Sequence, residues 1–290
     1  MSASKAQMVP RLPRRVVHAV MPSEDFWINS VDSATEALNR VVANLPAKYG
    51  WNFRTADAFV AELKECAAAG AKISDQNKFY WKDMLATCEA YSVMCSWRLA
   101  ELAQSTVWAL SRDDIHCSAL AARASLEATA RYVDTARVVS FTTEPITAKS
   151  LQERLCVSHE LEAILVKTVF ASRLPDSEDI YKDTNIVTVL QRISKVRGQE
   201  SVFRTYELLC EAAHPNFLGR SIYITESTQA SRPGHEIRTI MRGRGPTSIA
   251  VTGAAIQALS WACITHVTAF GLMQETIRSL LARLESGITL

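Results

Sequence analysis

From Gly245 to Gln274 the chain carries no Asp, Glu, Lys or Arg. A stretch this long without formal charge is either a bilayer span or a helix covered on all sides by other helices. Gln257, Ser260, His266 and several Thr and Ala dilute its hydropathy. That dilution favours the second reading: a central helix of a bundle over about residues 247–285, with no membrane partner. The rest of the chain must then supply the helices that cover it.

Helical periodicity elsewhere meets that demand. Helices are expected from Asp32 or Ser33 to about Leu45, from Thr55 to Ala69 before Gly70, and over about Asp75–Ser111. A further one starts at Asp113–Asp114, where acidic residues suit a helix N-terminus, and runs to about Val139. Others cover about Ile146–Ser172, Thr184–Val196 and Glu200–His214, the last stopped by Pro215. Only Ser221–Thr225 and Ile237–Met241 have the β-branched and aromatic character of strands, with turn-like Ser227–Gly234 between them. The expectation is an all-α fold: one helical-bundle domain of about seven or eight helices over 26–290, with a small late β-hairpin near 218–244. Residues 1–25 hold Lys5, Arg11, Arg14, Arg15 and His18 with no acid before Glu24, and read as a flexible basic arm. They lack the apolar core of a signal peptide, and Pro10, Pro13 and Pro22 spoil the amphipathic helix of a transit peptide.

Composition narrows the function classes. With 48% hydrophobic and 21% charged residues a sizeable core can form, and a net charge of +2 gives no global argument for nucleic acid or membrane. The seven cysteines are scattered, without a Cys-x-x-Cys, and read as free thiols in a reducing, cytoplasmic setting. No dinucleotide fingerprint, Walker loop, nucleophile elbow or His-Glu-x-x-His occurs, and no cofactor is expected. Glu211-x-x-His214 has di-iron spacing but no second copy, and the pairs Cys156/His159 and Cys263/His266 fall in apolar segments, so no metal site is expected either.

Charges on two helices are arranged narrowly. Turning roughly 100° per residue from Arg123, His116 and Asp134 fall near +20°, Glu127 near +40°, Arg131 near +80° and Arg137 near −40°. The stripe is either a solvated face of i,i+4 ion pairs or the lining of a cleft. On Glu200–His214, Glu211 is within one turn of His214. A helix-terminal His is favoured as imidazolium there and, beside Arg and Glu, suits acid or phosphate chemistry. The candidate centre is Arg123, Glu127 and His214.

Ala122-Arg123-Ala124-Ser125-Leu126-Glu127, followed by Tyr206-Glu207-Leu208-Leu209-Cys210-Glu211-Ala212-Ala213-His214-Pro215-Asn216, resembles a bacterial all-helical family of unassigned function. That family is distantly similar to HEPN-type helical domains. The resemblance implies a place in a defence or stress system and, in the HEPN direction, metal-independent ribonuclease activity. Arg154 to His159 matches the HEPN spacing of Arg, four residues, His, although Leu155 replaces the usual polar residue after the Arg, and arginines and histidines this numerous produce such a spacing by chance.

A last feature is basic. Arg220, Arg232, Arg238, Arg242 and Arg244 stand against Glu226 and Glu236, with Tyr223 available for stacking. Arg220, Tyr223, Arg238, Arg242 and Arg244 are candidates for holding phosphate or nucleic acid; the alternative is arginine blunting an exposed hairpin edge. Two functions follow as expectations: a non-catalytic interaction or oligomerisation module with a protein partner or a second copy, or a HEPN-like nuclease or phosphate- or nucleic-acid-binding protein.

Overall fold

In the computed structural model residues 8–11, 25–171, 178, 181–182, 185–242 and 245–286 are described. They form ten helices: α1 (Asp25–Ala43), α2 (Ala56–Ala68), α3 (Ile73–Ser111), α4 (Ile115–Thr143), α5 (Ala148–Glu153), α6 (His159–Phe170), α7 (Ile186–Ile193), α8 (Ser201–Ala213), α9 (Phe217–Ser221) and α10 (Pro246–Ser286). Between α9 and α10 lie β1 (Ile224–Gln229) and β2 (Glu236–Ile240), an antiparallel pair. The fold is all-α with a late hairpin, as expected, and all of the charge-free stretch after Gly245 lies within α10, whose apolar part is mostly buried.

The chain divides into two units. The first comprises residues 1–45, 96–130 and 186–267; the second comprises 46–95, 131–185 and 268–290. In the first, α10 contributes Val251, Ala255, Leu259 and Ala262 to a core shared with Leu99 and Ala103 of α3 and Ala122 and Leu126 of α4. Many of these positions are alanine, which lets helix backbones approach closely. In the second, Met273, Ile277 and Leu280 of α10 meet Trp81 and Leu85 of α3 and Tyr132 and Val139 of α4.

Three sequence expectations need correction. The first helix begins at Asp25, so Asp32 and Ser33 lie inside it instead of capping it. The helix expected over Ile146–Ser172 is broken between Glu153 and His159. The fully buried Asn77 holds the break: its amide donates to the carbonyls of Leu151 (2.7 Å) and Arg154 (2.8 Å), and its Oδ1 accepts from the Cys156 N–H (2.7 Å). Ser158 then caps α6, its hydroxyl accepting from the Leu161 N–H. A buried amide thus replaces the helical bonds that the segment gives up, a long-range trade invisible to periodicity. The hairpin is also shifted. Ser221 closes α9, and Ser227–Gln229, expected as turn, pair with Glu236–Arg238. A bulge between Ile224 and Glu226 leaves Thr225 as the extra residue. Gly245 sits where a side chain would strike the Ile224 carbonyl, so the chain enters α10 flush against the start of the hairpin.

Within the expected arm, Val9 is buried and exchanges hydrogen bonds with the Asn39 amide (2.8 and 2.9 Å). Residues 1–7 and 12–24 of the arm lie outside the described residues.

The first unit also buries a polar pair. His266 Nε2 lies 2.9 Å from Ser96 Oγ, and His266 is 1% exposed. Burial pushes its imidazole down from 6.5 to about 4. Unfolding releases a histidine of ordinary basicity, so between these values the unfolded chain binds the proton and the folded chain does not. Stability is full above about pH 6.5 and falls by on the order of 3 kcal/mol as the pH drops towards about 4. Urea unfolding of wild type and His266→Gln across this window should show the wild-type loss and a flatter variant curve; parallel curves would refute the assignment.

Candidate functional site

The structure pairs two of the three candidate residues, Arg123 and Glu127, and shows no bond from either to the third, His214, among the described residues. Arg123 and Glu127 occupy successive turns of α4, and Arg123 Nε donates to Glu127 Oε1 at 3.0 Å. Both side chains are about one-third exposed, at 29% and 30%, so the stripe is half-buried here and not a fully solvated face. The Arg123 guanidinium lies 5.8 Å from the ring centre of Tyr206 on α8. Burial opposes its charge, but the bond to Glu127 and the fields of Cys210, Glu127 and Tyr206 outweigh it and hold the group above its ordinary pKa. Burial raises the Tyr206 phenol, further raised by its bond to Cys210, and burial raises the Cys210 thiol. The cluster is a protonated, charge-paired contact between α4 and α8. None of these groups is set up as a nucleophile at neutral pH.

His214 ends α8 as expected. Its backbone turns extended (φ −81°, ψ 150°) ahead of Pro215, and its N–H donates to the Cys210 carbonyl at 3.1 Å. The side chain is exposed and, among the described residues, makes no hydrogen bond or ion pair with Arg123, Glu127 or Glu211. Glu211, expected to reach His214, instead accepts from the Asn216 amide. Asn216 in turn caps α9, its Oδ1 accepting from the Gly219 N–H at 3.0 Å. Sequence spacing placed Glu211 beside His214; the competing Asn216 had no periodic signature.

The hairpin candidates are exposed. Arg238 pairs with Glu236 on its own strand (3.2 and 3.3 Å), and Ser227 donates to the same carboxylate. Tyr223 is 39% exposed and meets the His116 ring edge-on at 6.4 Å. Arg220 and Arg242 are exposed and have no ion pair among the described residues; Arg244 lies outside them. Sequence reasoning found the hairpin's charges and its apolar strand residues but not the exposure of the latter: Ile237 is 62% exposed, Ile240 75% and Met241 55%. Every residue of β2 is exposed.

Of the metal pairs, Cys156 lies in the break after α5, His159 pairs with Glu162 at 3.0 Å, and Cys263 is buried on α10, the helix whose His266 bonds Ser96. Among the described residues no three potential ligands converge. Comparison of the chain with family models, with curated proteins and with solved structures finds no match.

A half-exposed i,i+4 pair contributes little to stability. Glu127→Gln should therefore cost about 0.5 kcal/mol in urea unfolding, while Tyr206→Ala, which empties a buried ring's place, should cost about 3 kcal/mol. A Glu127→Gln loss as large as that of Tyr206→Ala would mean that the ion pair, not the ring, carries the contact.

Proposed function

We propose that the chain is a non-catalytic helical interaction module that docks a protein partner through its hairpin. The observation that carries this reading is the exposure of Ile237, Ile240 and Met241 on a two-stranded sheet whose second strand is wholly uncovered. An isolated hairpin is marginally stable, and sheets gain stability from a third strand or a covering layer. Ile237 and Ile240 project from opposite faces of β2, so each face of the ribbon presents an exposed aliphatic side chain, and exposed apolar surface of this kind is available for binding. The seven cysteines, none of them in a disulfide among the described residues, support a reducing, cytoplasmic setting.

The nuclease reading requires His214 to act with Arg123 and Glu127. Against it, Arg123 is held by Glu127 and lies over the Tyr206 ring, and His214 has no hydrogen bond or ion pair to either charged residue among the described residues. Its support is the HEPN-like resemblance and the exposed Arg220 and Arg242, which have no ion pair among the described residues.

One comparison separates the two. Ile237→Ser with Ile240→Ser should reduce recovery of the bound protein at least tenfold in affinity capture, with the melting temperature nearly unchanged, because exposed positions contribute little to folding. His214→Ala should leave recovery intact. Equal recovery with the hairpin variant would sink the docking surface. RNA cleavage in EDTA that His214→Ala abolishes would replace it with the nuclease.

A further inference from the structure

Within the first unit a groove of about 470 Å³ lies between α8 and α10, a volume in the range of small-ligand sites. The two helices run antiparallel along it. Trp261 donates to Gln199, and Gln257 bonds both Thr205 (3.0 Å) and Ser201 (3.2 Å). This end is polar. Leu208, Ile249, Ala250 and Gly253 line the other, where α10 offers only small side chains beside Ile249 and so leaves the space open.

The polar end has an asymmetry. Ser201, Thr205 and Gln257 are hydrogen-bonded to one another and are neutral. Arg204 is the one charged residue in the lining, and its exposed guanidinium has no ion pair among the described residues. An apolar trough with a free guanidinium at one end complements an amphiphile with an anionic head. A planar carboxylate matches the guanidinium fork. From Ile249 to Gln257 the helix advances roughly 12 Å, room for a medium-length aliphatic chain but for only about two turns of a partner helix. We propose that the groove binds an aliphatic monocarboxylate, its head on Arg204 and its chain over Ala250 and Gly253. This site is independent of the hairpin and stands or falls separately from the docking reading.

Isothermal titration with octanoate, below its micellar concentration, tests it against octanamide, which keeps the chain and removes the charge. Octanoate should bind one to one, and octanamide at least tenfold more weakly. Arg204→Gln should weaken octanoate about tenfold or more, the loss of one charge-assisted contact, and leave octanamide unchanged. Gly253→Leu, which fills the trough, should abolish binding of both in a protein whose circular dichroism is that of wild type. If Gly253→Leu fails to fold, the Arg204→Gln comparison decides alone. Absence of saturable octanoate binding, or equal affinity in Arg204→Gln, overturns the proposal. So does a wild-type dimer that Gly253→Leu converts to monomer in sedimentation, because a second copy would then occupy the groove.

Discussion

Burial of α10 is the constraint on which the rest of the structure depends. A helix with no charged residue between Gly245 and Gln274 exposes apolar surface wherever it is not covered. Its composition sets how it is covered. In the first unit its contributions to the core are largely small, Ala254, Ala255, Ala258 and Ala262 among them, and the facing stretch of α4 answers with Ala119, Ala122 and Ala130. Small side chains on both partners let backbones close up, so stabilisation comes from many short contacts more than from a few large side chains. In the second unit the same helix offers Met273, Ile277 and Leu280, which meet the larger Tyr80, Trp81 and Tyr132.

Several polar groups inside these cores are bonded, although the buried Trp81 Nε1 has no hydrogen-bond partner among the described residues. Asn77 satisfies the backbone at the break before α6, Tyr132 donates to Ser92 at 3.0 Å, and Ser96 pairs with His266. Arg123, Glu127 and Tyr206 are likewise occupied with one another. At the surface stand the aliphatic side chains of the hairpin and the Arg204 guanidinium at the end of the α8–α10 groove.

Helix identity was legible because it rests on local spacing. The charge-free run, Gly70, Pro215 and the acidic start of α4 each acted within a few residues of the feature they marked. The α5–α6 break was not legible, because Asn77, which holds it, is distant in sequence and unremarkable there. The Arg123–Glu127 pair followed from i,i+4 spacing and was found as expected. The placing of His214 did not, since Asn216 takes Glu211 through a cap that begins after α8 ends. The alternating β-branched residues marked the hairpin, but whether its aliphatic positions face a core or solvent is set by what packs on them, and local sequence carries no record of that. The groove was hidden for the same reason: Ala250 and Gly253 read as close-packing residues, whichever side of α10 is covered.

The most direct test of the interaction reading is site-specific photo-crosslinking in cells, with a benzophenone side chain at Ile240 and, as control, at Val60 of α2, which is also exposed at 45%. A docking hairpin requires a discrete protein adduct at Ile240 that is absent at Val60. The same adducts at both positions, or none at Ile240 in cells where the chain is abundant, would contradict it.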